Sequence, residues 1–511
     1  MPSSNVTSKN DYWLVTGVTG LVGEYLLKDL LQAGFRLAVV ARASRKQTAT
    51  QRIESILGRW EKELGCQLQR PVVLEGDVGL ANLGLDADSL RWISGSCSHL
   101  LHNAAVLNFF GPSREGEPWK TNVAGTKNVL QLLKDTGIED LHYVSTAYVC
   151  GDRSTTVFEH DFDCGQKFRN DYENSKWVAE QLVRQAELIN PPTIYRPVVI
   201  SGDSTNGYTS TYHGLYLYLR MMAMLVPQQE RDSSGKIVTK IQLPMSGHEP
   251  RNIVPVEWVS QVMTHLLSTP NAHGKTFHLA PPQGITPNEL VQHCYQYFGS
   301  AGVEFCGNDN LNRQADNDFA AKVFEAIRIY QDYEISDPKF DTTNLNKYAG
   351  HIDCPELTQD VIQRYLVFGE NDKWGKIKRP KFQCDISGQP LIQRLSDEIM
   401  DLSCQLAPTS QSARHHNDSA KSAQQVRFRI CFDLLGPGGG AWTVEIPQNG
   451  CATIIPGIVG NPDVTMQMNV DRLQEWLSSD LVSKRQTAQR WIQRAETARA
   501  SGRITVESDL S

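Results

Sequence analysis

Three side chains in the middle of this chain have the types and spacing for carbonyl chemistry. Tyr172 and Lys176 lie one helical turn apart in Tyr172-Glu173-Asn174-Ser175-Lys176-Trp177-Val178-Ala179-Glu180, and the run from Trp177 to Ala186 has a helical pattern. One helix face can carry both the phenol and the ammonium. A fixed positive charge favours the phenolate, so the Tyr172 proton is expected to be more available near neutral pH. Upstream, Leu141 to Val144 reads as a short buried strand that presents Ser145 and Thr146 at its C-terminal end. In a doubly wound sheet, ligands bind at those strand ends. Thr146 could hold a carbonyl oxygen there while Tyr172 donates the proton. A Tyr-x-x-x-Lys pair by itself is usually an exposed surface pair, so its weight depends on the elements around it.

Those elements read as alternating strands and helices. Tyr12 to Val15 is an apolar strand leading into Thr16-Gly17-Val18-Thr19-Gly20-Leu21-Val22-Gly23, and an amphipathic helix then runs to about Gln32. Gly34 stops that helix, and Phe35 to Val40 is the second strand. A glycine triplet between a strand and a helix has a dinucleotide-binding context. Gly17 permits the tight turn, Gly20 lets backbone amides approach a pyrophosphate, and Gly23 allows close helix packing. The second strand ends in Ala41-Arg42-Ala43-Ser44-Arg45-Lys46, which has cations and no acid. An acidic residue here would suit the ribose hydroxyls of NAD, whereas arginine suits a 2′-phosphate, so the turn favours NADPH through Arg42. Pro71 to Leu74 is a third strand ending in Glu75-Gly76-Asp77-Val78, with Asp77 placed for the adenine amino group. Leu100 to His102 ends a fourth strand, and the small residues of Asn103-Ala104-Ala105 let a ribose lie close to the backbone. Asn122 reads as the cap of the helix that follows and as a support for the site.

Thr16 to Gly23, Asp77, Asn103 to Ala105, Thr146, Tyr172 and Lys176 resemble, in order and spacing, the extended short-chain dehydrogenase/reductases over roughly residues 11 to 400. Tyr195-Arg196-Pro197-Val198-Val199-Ile200-Ser201-Gly202-Asp203-Ser204-Thr205-Asn206-Gly207 resembles the R-P-x-x-I-x-G-D-S-x-T-G segment of thioester and fatty acyl reductases, with Asn206 where that group usually has threonine. Asn252 to Val256, Gly274 to Leu279 and Ser336 to Asn344 are similar to further segments of the same male-sterility-type branch. The resemblance implies a Rossmann-type doubly wound parallel sheet with a smaller substrate-binding part. It implies catalysis by Thr146, Tyr172 and Lys176, with Lys176 also on the nicotinamide ribose and lowering the Tyr172 pKa. It implies NADP(H) held by Thr16, Gly17, Thr19, Gly20, Leu21, Val22, Gly23, Arg42, Asp77, Val78, Asn103, Ala104, Ala105, Lys176, Arg196 and Pro197, and no metal.

The chain has 511 residues, so two or three domains are expected. We read 1–402 as the reductase, with a cofactor core at about 11–200 and substrate-binding parts mainly at 202–245 and 280–400. Residues 403–425 read as a polar linker whose adjacent His415 and His416 have no acidic or cysteine partner nearby, and 426–511 as a separate unit. Tyr212 to Leu225 is rich in aromatics and methionine, a composition commoner in ordinary core but suited to a pocket for floppy apolar chains. In the last unit, Phe432-Asp433-Leu434, the Gly-Gly-Gly-x-Trp turn to Trp442, Pro462-Asp463-Val464-Thr465 and the terminal Gly502-Arg503-Ile504-Thr505-Val506 resemble sterol carrier protein type-two domains. That resemblance implies an α+β lipid-carrier-like fold with a five-stranded sheet and an apolar tunnel for a lipid ligand. Glu507-Ser508-Asp509 departs from that family's usual Gly-Asp ending.

A net charge of -7 gives no reason to expect nucleic-acid binding. Eleven dispersed cysteines read as reduced thiols, and no run approaches the ~18 apolar residues of a membrane span, so a cytoplasmic protein is expected. The leading expectation is an NADPH-dependent reductase of an acyl thioester on coenzyme A or an acyl carrier protein, giving an aldehyde and in some cases an alcohol. The same residues would serve an NADP-dependent dehydrogenase of a lipid or sterol hydroxyl or ketone. A lipid carrier with an NADP(H)-sensing Rossmann part and a sugar epimerase are weaker readings.

Overall fold

The structure, a computed structural model, describes residues 12–307, 317–327, 337–377 and parts of 426–507. The linker and the two histidines lie outside the described residues, as do 378–402. In the first half, strands β1 (Tyr12–Thr16), β2 (Arg36–Ala41), β3 (Val72–Glu75), β4 (Cys97–His102), β5 (Asp140–Val144) and β6 (Thr193–Pro197) are separated by helices. These are α1 (Leu21–Gln32), α2 (Ala49–Leu64), α3 (Ala87–Ser96), α4 (Gly125–Thr136) and α5 (Asp171–Gln185). The second half adds β7 (Val199–Ile200), α6 (Leu215–Leu225), β8 (Ile237–Leu243), β9 (Ile253–Val254), α7 (Val256–Leu267), β10 (Thr276–Leu279), α8 (Pro287–Phe298) and β11 (Ser300–Phe305). Helices α9 (Asp318–Ile327), α10 (Thr343–Ala349) and α11 (Gln359–Asn371) follow.

Seven strands form one sheet in the order β10-β6-β5-β4-β1-β2-β3, and every pairing is parallel. All their C-terminal ends therefore share one edge, and the order changes direction beside β1 and β4. The strands alternate between two cores: Trp13 and Val15 pack with α1, α2 and α7, while Tyr12 and Leu14 pack with α3, α4 and α5. Burial on both faces is why these strands read as near-continuous apolar runs. Local signals set the helix ends. Thr48 and Gln51 form a capping box at the start of α2, and Thr286 and Glu289 do the same for α8.

A smaller part covers the C-terminal edge of the sheet. Helices α6, α8 and α11 share one apolar cluster, and β8 packs with α9 in another, while β8 and β11 form a two-stranded parallel sheet.

The last unit contains β12 (Val426–Leu435), β13 (Gly440–Pro447), β14 (Thr453–Pro456), β15 (Val464–Asn469), α12 (Val470–Ser478) and β16 (Thr505–Glu507). Its five strands are ordered β14-β13-β12-β15-β16, with β12 parallel to β15 and antiparallel to β13. One face carries Phe432, whose ring meets Trp491 edge-on at 5.7 Å. The alternate residues of β12 face the seven-stranded sheet. Cys431 joins the core of the seven-stranded sheet, and buried Asp433 accepts the Tyr12 hydroxyl at 2.7 Å and pairs with Arg36. The Arg36 guanidinium also lies over the Tyr12 ring, 4.1 Å from its centre. This contact is at the N-terminal ends of β1 and β2, away from the edge where the cofactor motif lies. Removing one partner of a buried ion pair strands the other charge, so Asp433→Ala should cost about 3 kcal/mol of docking and folding free energy. Hydrogen exchange should show faster exchange at the β12 and β13 amides.

Candidate functional site

The glycine turn opens α1 without a side-chain cap: Gly20 is the N-cap residue and no side chain bonds the first-turn amides. Those amides and the helix dipole are free to meet an anion. Gly17 has φ +78°, and a Cβ on it would overlap the Ala104 backbone nitrogen, whereas one on Gly20 would meet only the Gly17 carbonyl oxygen, at an ordinary contact distance of 3.7 Å. Gly23 sits hard against the Gly17 carbonyl. The donor set and the open cradle fit a dinucleotide pyrophosphate. Gly17 and Ala104 are in turn fixed by Asn103, whose amide donates to the Gly17 carbonyl at 3.2 Å, and by Thr16, whose hydroxyl accepts the Ala104 N–H at 3.3 Å. Thr16 also hydrogen-bonds His102 Nδ1 at 2.8 Å and does not reach the cavity wall. It shapes the turn from behind, which corrects its expected role in touching the cofactor.

A continuous cavity of about 810 Å³ runs along the C-terminal edge of the sheet. Its wall brings together Gly17, Thr19, Gly20, Leu21, Val22, Gly23, Arg42, Asp77, Val78, Asn103, Ala104, Ala105, Thr146, Tyr172, Lys176 and Pro197. Arg42 leans on Asp77 at 3.6 Å, and Gly79 donates its N–H to the other Asp77 oxygen at 2.9 Å. A second cation that the sequence reading missed, Arg52 of α2, joins this end of the wall. Its guanidinium donates to the Arg42 carbonyl at 2.7 Å, and burial followed by the neighbouring Arg42 charge pulls its pKa down.

Helix α5 carries Tyr172 and Lys176. Its N-cap Asn170 accepts the Glu173 N–H, Asp171 and Glu173 occupy the first turn, and Arg184 sits in the last, all matched to the helix dipole. The helix therefore starts at Asp171, so Tyr172 lies in its first turn. Asp171 also accepts the Gly111 N–H at 2.8 Å and donates its own N–H to the Phe109 carbonyl at 2.9 Å. This holds the Phe109 ring 6.5 Å from that of Tyr172.

Tyr172 hydrogen-bonds Thr146, and burial drives its phenol up to about 12, against the lowering by that bond. The lowering expected from Lys176 is not found: desolvation dominates, and the phenol is a protonated donor at neutral pH. Lys176 is 2% exposed and donates to the Val144 carbonyl at 2.7 Å and the Tyr143 hydroxyl at 3.0 Å. Burial brings it down to about 7, with Glu180 pulling the other way. Asn122 is not a helix cap. It lies in a wide turn before α4, accepts the Val106 N–H at 2.9 Å and donates to Ser175 at 2.9 Å, tying the loop after β4 to α5.

Arg196 is the clearest correction. Its side chain is 1% exposed and absent from the cavity wall; its guanidinium points at the Glu180 carboxylate, 2.6 Å away. The adjacent Pro197 does reach the wall, because side chains alternate along β6. Two wall residues not foreseen as part of the site are Tyr148 and Asp337, joined by a 3.1 Å hydrogen bond from phenol to carboxylate. Asp337 also accepts the Asn252 N–H at 2.8 Å, and burial raises its pKa.

Beyond Tyr172 the cavity continues as an apolar arm lined by Leu219 and Met222 of α6, Ile241 and Leu243 of β8, Leu290 and Cys294 of α8, and Phe319 and Val323 of α9. The Met-rich helix divides its sides: Leu215 and Leu219 belong to the packed cluster and also meet the cavity, while Met224 is exposed. Among the described residues no cluster of His, Cys, Asp or Glu could hold a metal, and no helix is long and apolar enough to cross a membrane.

Residues 15–263 match the family model of the male sterility protein. The chain is 29% identical over 373 residues to a linear gramicidin synthase of Brevibacillus parabrevis, covering 69% of this chain and 7% of that one. It is 28% identical over 396 residues to an aldehyde reductase of Aspergillus flavus, covering 69% and 35% respectively. The chain thus spans a minor part of these relatives' lengths. The crystal structure of the terminal R domain from the myxalamid PKS-NRPS biosynthetic pathway superposes with a TM-score of 0.58 at 26% identity, over 73% of this chain and 94% of that one.

Substituting Gly17 by alanine should strain the positive φ and push the Cβ into Ala104; titration with a reduced nicotinamide dinucleotide, followed by its fluorescence, should show binding weakened at least about tenfold. The glycine turn, the Thr-Tyr-Lys trio beside it and these similarities together support an extended short-chain dehydrogenase/reductase of the thioester reductase type.

Proposed function

We propose that the protein reduces an apolar acyl thioester to the aldehyde with NADPH. The observation that carries this reading is the cavity in which the glycine cradle, the Thr146–Tyr172–Lys176 group and the apolar arm are continuous. The cofactor, when bound, supplies the hydride. Thr146 and the protonated Tyr172 present two hydroxyl donors to one carbonyl oxygen, so the negative charge that develops there meets preorganised hydrogen bonds. Tyr172 then gives its Oη proton to that oxygen, and the buried Lys176 ammonium favours the resulting phenolate. The hemithioacetal so formed expels its thiol, with the carbon–sulfur bond breaking and the carbonyl re-forming. The sum is thioester, NADPH and a proton giving aldehyde, free thiol and NADP. A carrier protein or coenzyme A would bring the thioester, and the resemblance of the last unit supports a lipid ligand there.

Arg42 and Arg52 together support NADPH over NADH, since two guanidinium groups suit a 2′-phosphate. Replacing both by alanine should raise KM for NADPH by roughly 100-fold while changing KM for NADH little.

The test of the function is NADPH oxidation with a panel of acyl-CoA thioesters, with thiol release followed in parallel. Matching rates with aldehyde as product support the proposal; NADPH consumption with fatty aldehydes or ketosteroids but none with thioesters overturns it in favour of a dehydrogenase. Tyr172→Phe should lower kcat by roughly 100-fold or more with the fold intact. Met222→Trp, which fills the apolar arm, should raise KM for long acyl chains and leave short ones nearly unaffected.

A further inference from the structure

The two halves of the reactive group come from different elements, Thr146 from the end of β5 and Tyr172 with Lys176 from α5. One carboxylate joins them. Glu180 is fully buried, one turn beyond Lys176 and two beyond Tyr172 on α5. It accepts the Ser145 hydroxyl at 2.5 Å, the Arg196 guanidinium at 2.6 and 3.2 Å, and Arg184 Nε at 2.8 Å. Ser145 precedes Thr146, and Arg196 precedes Pro197, whose carbonyl accepts the Thr146 hydroxyl at 3.4 Å. Arg196 is pinned further by the Asp161 carbonyl at 2.9 Å and by His278.

We propose that Glu180 is a positioning residue for the reaction: it fixes Thr146 against Tyr172 and holds Lys176 in its ammonium form. This inference rests on the reductase reading of the same site. Stability alone does not account for the pair, because a buried ion pair is often no more stable than apolar side chains of the same volume. Apolar side chains could neither bind Ser145 nor set a negative charge near Lys176. The groups facing Lys176 among the described residues are Tyr172 and Glu180 from α5, Tyr143 from β5 and His102 from β4. His102 is held neutral by burial and then by the Lys176 charge, which leaves Glu180 as the anion of this set.

The sign follows directly. Burial lowers the Lys176 pKa and Glu180 raises it, so losing the carboxylate lowers it further. The ammonium is present below that pKa and lost above it, so the alkaline fall in activity should begin at lower pH. The test compares wild type with Glu180→Gln and, if the single variant fails to fold, with the paired Glu180→Met/Arg196→Met change, which strands no fully buried charge because Arg184 is partly exposed and keeps its bond to Thr276. Both kcat and NADPH binding are followed against pH. The proposal expects kcat roughly tenfold lower and the alkaline limb of both profiles moved down by about one pH unit. Ser145→Ala, which keeps the charge, should lower kcat without moving the limb. Limbs that coincide with wild type overturn the electrostatic role, and an unchanged kcat in Ser145→Ala overturns the tether. NADPH binding needs no substrate, so its profile decides the role of Glu180 even if wild type turns over no thioester.

Discussion

An ammonium group buried to 2% exposure is the constraint around which this site is built. Desolvating Lys176 is unfavourable, and the surroundings answer with a backbone carbonyl at the end of β5, a tyrosine hydroxyl and a carboxylate one helical turn away. Each of those groups is placed by a different structural decision. Val144 ends a strand paired on both sides, and Glu180 is locked by arginines from β6 and its own helix. The helix carrying the reactive pair can therefore dock in one register only. The same burial raises the Tyr172 phenol and lowers the Lys176 ammonium, so the site keeps its proton donor neutral beside a lysine that titrates far below its ordinary range.

The parallel sheet provides the second constraint. Because all seven strands run the same way, their C-terminal ends supply adjacent pieces of one wall: the glycine turn after β1, Arg42 after β2, Asp77 after β3, the small residues after β4, Thr146 after β5 and Pro197 from β6. Loop chemistry is thereby carried on a rigid scaffold. The smaller part adds what the sheet lacks, an apolar arm in line with the reactive group. The last unit docks at the opposite end of β1 and β2 through a buried aspartate, leaving the cavity edge to the smaller part.

Much of this was legible because the signals are local. A glycine triplet between strand and helix, a Tyr-x-x-x-Lys pair and small residues after β4 act through backbone geometry and helix periodicity, and all reach the cavity wall. Arg196 misled because its neighbour Pro197 faces the cavity, and along a strand adjacent residues point to opposite sides. Arg52 and Tyr148 were missed since each becomes part of the site only through the docking of its element. Asn122 was placed correctly as a support but wrongly as a cap, because the turn before α4 winds more widely than a cap allows.

By itself the sequence determined the alternation of strands and helices, the strand-end location of the cavity and most of the side chains that line its cofactor-motif end. Those follow from periodicity, turn chemistry and spacing within a few residues. Only the tertiary structure decided which charges face each other. Glu180 with Arg196, Tyr148 with Asp337 and Asp433 with Arg36 join residues brought together by sheet order and domain docking. The pKa of a buried group depends on those partners and on exclusion of water, neither of which spacing along the chain encodes. That is why the sequence pointed to a tyrosine lowered by its lysine, whereas the fold holds the phenol high and the lysine low.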